Sequence, residues 1–158
     1  MEEKMSPQTE MDKNLLVVTA IQGYAANHNI SESATYEKFA QHDMISLIRE
    51  QYDALHTQDL EETVAFAEDV MKRYEKSENI HKMPHYTYKN QDITIDILMK
   101  IEHVVRILAE KHGKSFDEML QQFYASKTFA ALKNTESCMW AESAEFIADD
   151  FEREQKND

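Results

Sequence analysis

Two glycines and two prolines in 158 residues leave few places where this chain can turn sharply. Sheet-rich and doubly wound folds need a turn or positive-φ residue about every ten residues, and phosphate-binding loops need several glycines close together. Gly23 and Gly113 stand alone, which excludes the P-loop and dinucleotide-binding classes. The fold class is therefore all-α. The length suffices to bury a core without disulfides or metals, as one domain or as two half-sized bundles.

Apolar spacing then divides the chain. From residue 14 to 28, Leu15, Val18, Ile21 and Ala25 form one helical stripe with Val17 and Tyr24 beside it, and so wide a stripe marks a central helix. Asn27, His28 and Asn29 end it, because Asn tolerates the left-handed cap position. Ser31 caps a short helix through Tyr36 and Phe39, and a third helix carries Met44, Ile45, Ile48, Tyr52 and Leu55. Asp59 and Glu62 have capping-box spacing and open a fourth helix over 60–74. Its inward stripe is Val64, Ala67, Val70 and Met71, or alternatively Phe66, Val70 and Tyr74, with Glu61, Glu62, Glu68 and Asp69 facing water.

Residues 75–91 show no apolar period and contain Pro84. We read 76–92 as a linker, although Tyr86 and Tyr88 alternate with polar residues as a short extended stretch would. The second half repeats the plan. A long helix over 93–112 turns Ile97, Ile101, Val104, Val105 and Leu108 inward, with Gly113 at its left-handed end. Ser115 and Glu118 form a capping box for a helix through Met119, Leu120 and Phe123. Ser126 begins a third helix with Phe129, Ala130 and Leu132, and a last acidic helix holds Phe146, Ile147 and Phe151. A shift of 84 places Val17 on Ile101, Ala25 on Ala109, His28 on His112, Ser31 on Ser115 and Phe39 on Phe123. The resulting plan is a disordered leader (1–13), a helical bundle (14–75), an irregular connection (76–92) and a second bundle of similar plan (93–155).

Seventeen basic residues against thirty acidic ones give a net charge of -13. Direct binding to nucleic acid or an anionic membrane relies on Lys and Arg facing phosphates, so this balance argues against both; it fits a basic protein partner, or simply an acidity that keeps the chain in solution. Residues 1–75 carry -9 of it. The longest apolar run, Leu15 to Val18 and on to Ile21, is far shorter than the ~20 residues of a membrane span, and residues 1–10 lack the features of a secretory signal. The single Cys138 fits a reducing, cytoplasmic setting and reads as a small core residue rather than a nucleophile.

Glu78 and His81 have the i, i+3 spacing of a dimetal site, but such a site needs a second pair and two more Glu on facing helices, and Pro84 between His81 and His85 breaks the helix that would align those two. No metal or cofactor is expected. Nucleophile-elbow and zinc-protease motifs are missing from the sequence, and an enzyme is not the expected class. Two segments are more informative. In Tyr52-Asp53-Ala54-Leu55-His56-Thr57, Asp53 and His56 could pair at i, i+3, although a helix C-cap with the imidazole near backbone carbonyls is the simpler reading. In Thr135-Glu136-Ser137-Cys138-Met139-Trp140, the only Trp stands in a connection, either as the plug of its bundle or as an interface anchor.

These segments carry a resemblance. With Tyr24-Ala25, Ile30-Ser31, Tyr36, Phe39 and Tyr52 to Thr57, the first half resembles a family of short bacterial helical proteins of unknown function. With Phe123, Ser126-Lys127-Thr128, Leu132, Thr135-Glu136-Ser137, Met139-Trp140 and Glu142-Ser143, the second half resembles another small helical family. The resemblance implies that both kinds are encoded beside an ADP-ribosyltransferase-like protein, as antitoxins stand beside toxins. Gln22-Gly23 stands where an acidic residue is expected, and Gln41-His42-Asp43 replaces a glycine turn. The implied function is a non-enzymatic, antitoxin-like protein that neutralises such a toxin by contact through Tyr52, Asp53, His56, Thr57, Thr135, Glu136 and Trp140. The alternatives are an acidic helical interaction module that mimics nucleic acid with Glu61, Glu62, Glu68 and Asp69, or an enzyme using Asp53 and His56.

Overall fold

The computed structural model describes residues 6–74 and 85–157. The chain divides into two compact units, Met1–Pro84 and His85–Asp158, each mostly α-helical. The histidine and carboxylate pairings through Glu78 and His81 lie outside the described residues.

In the first unit α1 spans Pro7–His28, so residues 7–13 are helical where the sequence suggested a leader. Ser6 explains the early start. Its hydroxyl accepts the Thr9 backbone N–H, and Pro7 takes a first-turn position where its missing N–H costs nothing. From Leu16 to Ala25 every residue of α1 is buried, which makes it the central helix of its unit. Asn29 ends it in the left-handed conformation, at φ 52°. Ser31 caps α2 (Glu32–Gln41) by accepting the Ala34 N–H.

Asp43, at φ 53°, makes the turn into α3 (Met44–Glu50), filling the role of a glycine at the Gln41-His42-Asp43 departure. The expected single third helix is broken at Gln51, after which α4 (Tyr52–Leu55) forms a separate turn. In α5 (Leu60–Lys72), Asp59 makes no side-chain cap bond, so its capping box with Glu62 is not formed. Val64, Ala67 and Met71 are buried and Tyr74 is 57% exposed, which selects the first of the two expected stripes.

Glu68 departs from expectation. It is only 3% exposed, accepts the Asn27 side-chain amide at 3.0 Å, and meets His28 Nε2 at 2.9 and 3.1 Å. A carboxylate this buried needs such partners, and the last turn of α1 supplies them. The four-acid, phosphate-like row is therefore reduced to Glu61, Glu62 and Asp69, which are exposed.

The second unit begins with a hairpin where the sequence suggested a linker. Thr87–Tyr88 (β1) pairs antiparallel with Gln91–Asp92 (β2), Tyr88 opposite Gln91. Lys89 and Asn90 turn the corner at φ 47° and 64°, the two successive positive φ values of a type I′ turn. Then follow α6 (Thr94–His112), α7 (Phe116–Tyr124), α8 (Lys127–Lys133), two 3₁₀ turns (Thr135–Ser137 and Met139–Ala141) and α9 (Ala144–Asn157).

Gly113, at φ 61°, ends α6, and the Ser115–Glu118 capping box on α7 has both of its hydrogen bonds. The core joins Ile97, Ile101 and Leu108 to Met119, Phe123, Leu132, Ile147 and Phe151. Phe123 meets Phe129 and Phe151 edge-on at 5.6 and 5.9 Å. Of the three apolar residues named on the last helix, Ile147 and Phe151 are buried and Phe146 is 44% exposed. The buried stripe of α9 runs through Ala144, Ile147, Ala148 and Phe151, and Phe146 lies ~100° around the helix from Ile147. Ala130 is likewise exposed.

In each unit the first and last helices lie parallel. Gly23 of α1 faces Val64 of α5, and a Cβ placed on Gly23 would stand 2.6 Å from Val64 Cγ1 and too close to Cγ2 as well. Val64 is β-branched and cannot swing both methyls away. We expect Gly23→Ala to destabilise the protein by about 1–3 kcal/mol through overpacking, despite the ~1 kcal/mol that alanine gains in a helix. A urea-unfolding midpoint that rises instead would contradict the close approach of α1 and α5.

Candidate functional site

The residues singled out in the sequence lie in different units, and each group is considered by itself. In the first unit Leu55 is buried and holds α4 to the core, which leaves Asp53, His56 and Thr57 exposed and Tyr52 half-buried. The His56 ring stacks on Tyr52 with centroids 4.3 Å apart and planes 16° from parallel. Its Nδ1 lies 2.7 Å from the Tyr52 carbonyl oxygen, the acceptor to which it donates. Tyr52 Oη donates to Asp12 at 3.3 Å, and Lys13 Nζ lies 5.6 Å from the ring centroid. Partial burial and the neighbouring Asp12 carboxylate push the Tyr52 phenol above its ordinary range. Thr57 Oγ1 donates to the Ala54 carbonyl.

No hydrogen bond joins Asp53 to His56 among the described residues. The i, i+4 stack on Tyr52 and the Tyr52 backbone carbonyl, which also accepts the His56 backbone N–H at 2.9 Å, take the imidazole instead. The segment is thus an exposed, aromatic-backed ledge. It presents one carboxylate, one imidazole edge and one hydroxyl to solvent.

In the second unit Thr135, Glu136 and Trp140 share one connection. The Trp140 indole N–H donates to the Thr135 carbonyl at 3.1 Å, and the half-buried ring meets Tyr88 edge-on at 5.5 Å. Trp140 therefore ties the 3₁₀ turns to the hairpin while keeping part of its surface in water. Glu136 is exposed, its backbone N–H held by Asn134 Oδ1.

Cys138 was expected in the core, but it is half-buried and sits in the left-handed conformation at φ 57°. Its Sγ lies 3.3 Å from Tyr88 Oη, a hydrogen bond that raises the Tyr88 phenol. Asp92 accepts the Thr94 backbone N–H at 2.9 Å, and bonding to Thr94 holds its carboxyl below the usual range at the start of α6. The contribution of the hairpin was missed in the sequence. Its signal was the Tyr86/Tyr88 alternation ahead of Lys89-Asn90.

A cavity of about 540 Å³ in the same unit was also missed. Met119 and Phe151 contribute its apolar lining, and Lys111, His112, Lys114, Lys156 and Glu152 its charged lining. Lys111 Nζ and His112 Nε2 bond the two Glu152 oxygens at 2.7 and 2.9 Å. The Lys111 bond, with a smaller contribution from His112, holds the Glu152 carboxyl low against partial burial, and Lys111 is raised in return. With Glu152 matched by Lys111, Lys114 and Lys156 are the further lysines of the lining. The cations come from α6, α9 and the turn after Gly113, so no short motif announces them. Among the described residues, no three His, Cys, Asp or Glu side chains gather as metal ligands, and no helix is long and apolar enough to cross a membrane.

Comparison with known families supplies one match. A domain of the family described as protein of unknown function (DUF3791) covers residues 16–73. It runs from within α1 to the end of α5, includes the Tyr52 to Thr57 ledge, and lies wholly in the first unit. No curated protein and no solved structure matches the chain.

We expect Trp140→Ala to lower the stability of the second unit by about 2 kcal/mol, through loss of the aromatic contact and the indole hydrogen bond. Thermal unfolding followed by near-ultraviolet circular dichroism checks this. An unchanged midpoint would mean that the ring contributes nothing to the fold.

Proposed function

We propose that this chain is a non-enzymatic binding protein with an antitoxin-like role. It neutralises an ADP-ribosyltransferase-like toxin, the product of a neighbouring gene, by direct contact in the cytoplasm. The observation that carries this reading is the acidic surface of the first unit. Glu61, Glu62 and Asp69 stand exposed on α5, in a stretch of 75 residues that carries -9.

A transferase that grips the phosphates of a dinucleotide needs a basic groove, and an acidic helix face is complementary to it. The aromatic-backed ledge from Tyr52 to Thr57 lies in the same unit and supplies shape and a polar rim. In the second unit the partly exposed Trp140, with Thr135 and Glu136, supplies a further anchor of the type enriched at binding hot spots. The resemblance to small helical proteins encoded beside toxin-like transferases supports the same partner class.

Co-expression with the neighbouring gene product tests the proposal. We expect a complex that co-purifies and growth that is restored. Combined Glu61→Lys, Glu62→Lys and Asp69→Lys should weaken the complex at least tenfold at low ionic strength, with the deficit narrowing as salt is added. No complex and no rescue of growth would overturn the reading.

A further inference from the structure

The two units share one order of helices and caps. We infer that the second unit is a diverged copy of the module that covers residues 16–73, and that both copies are closed by the same latch between their first and last helices. This inference is independent of any partner.

The register is a constant shift of 84. In it α1 and α6 both end on a histidine, His28 and His112, followed by a left-handed residue, Asn29 or Gly113. The next cap bond is the same in each unit: Ile30 N–H to Ala25 O, and Lys114 N–H to Ala109 O, both at 3.1 Å. The serines Ser31 and Ser115 then cap α2 and α7, which start at Glu32 and Phe116. The last helices start at Leu60 and Ala144. The third helices, α3 and α8, start one residue out of register.

Side-chain contacts follow the same shift. Asn27 and His28 hold the carboxylate of Glu68, and Lys111 and His112 hold that of Glu152. Both acids are one turn from the end of the last helix, facing the final turn of the first. Most positions differ between the units, yet His28/His112, Glu68/Glu152, Ser31/Ser115, Ala25/Ala109, Phe39/Phe123, Lys72/Lys156, Asp12/Asp96 and Glu61/Glu145 are identical. Four of these eight pairs are the two latch residues, the alanine whose carbonyl takes the cap bond, and the serine that starts the next helix.

Similar helical bundles can arise independently. That route gives no reason for the same two side chains to bridge the same two helices in one register, with the same cap bonds around them. In this register His56 falls on Trp140 and Tyr52 on Glu136, so the exposed ledge and the Trp140 turn occupy one place in the module, the connection from the third helix to the last. There the copies have diverged most in side chain and backbone, one forming an α-helical turn and the other two 3₁₀ turns.

Hydrogen exchange on the full chain, read by mass spectrometry, tests both parts. Glu68→Gln should speed exchange in α1 and α5 at least fivefold and leave α6 and α9 within twofold. Glu152→Gln should do the converse. Because Lys111 and His112 lower the Glu152 carboxyl, its stabilisation is present above the unfolded carboxyl value and is lost as pH falls through the folded one, so the Glu152→Gln deficit should shrink on acidification. Asn27→Lys and Lys111→Asn, which give each latch the other copy's residue, should keep exchange in both units within twofold of the parent. Exchange unmoved by Glu68→Gln or Glu152→Gln would overturn the latch. Residue exchanges as damaging as the Gln variants would overturn the equivalence of the copies.

Discussion

Everything else in each unit depends on the pairing of its first helix with its last. In the first unit that pairing is close enough to demand glycine at residue 23, where any side chain would meet Val64. It is fastened one turn further on by Glu68, a carboxylate removed from water and returned two hydrogen-bonding partners by Asn27 and His28. In the second unit Glu152 does the same with Lys111 and His112. A buried or half-buried acid contributes little if replaced by a well-packed apolar residue, but leaving it without partners is costly. Such a contact therefore specifies which turn of one helix faces which turn of another. With first and last elements in register, α2 and α3, or α7 and α8, fill the remaining side.

The latch also divides the surface of the chain. It draws Glu68 out of the acidic face of α5, leaving Glu61, Glu62 and Asp69 in solvent. In the second unit it matches Glu152 with Lys111 in the lining of a cavity that also holds Lys114 and Lys156. The Tyr52 to Thr57 ledge and the Trp140 turn lie in the connection before the last helix of each unit. Backbone there is set by local contacts, the Tyr52–His56 stack and the Trp140–Thr135 bond. Such connections tolerate change in side chain without loss of the bundle, which suits them to partner recognition.

Much of the fold was legible in the sequence because helix ends are chemically explicit. Ser31, Ser115, Ser126, Asn29 and Gly113 all cap where their residue types indicated. What escaped was decided by longer-range terms. Glu68 reads as a solvated acid until His28 is placed opposite it, forty residues earlier in the chain. The hairpin at 87–92 was obscured because its turn is Lys-Asn rather than a glycine pair. Asp53 and His56 have pairing distance in sequence, yet stacking on Tyr52 and the Tyr52 carbonyl compete for the imidazole and take it. The lysine-lined cavity assembles from separate elements and leaves no local pattern at all.

A crystal structure of the full chain at a resolution that places side chains would test the central claim most directly. We expect His28 Nε2 within hydrogen-bond distance of the Glu68 carboxylate, His112 Nε2 within the same distance of Glu152, and the first and last helices of the two units superposing with a shift of 84 residues. A last helix packed in a different register, or on an element other than the first helix in either unit, would contradict it.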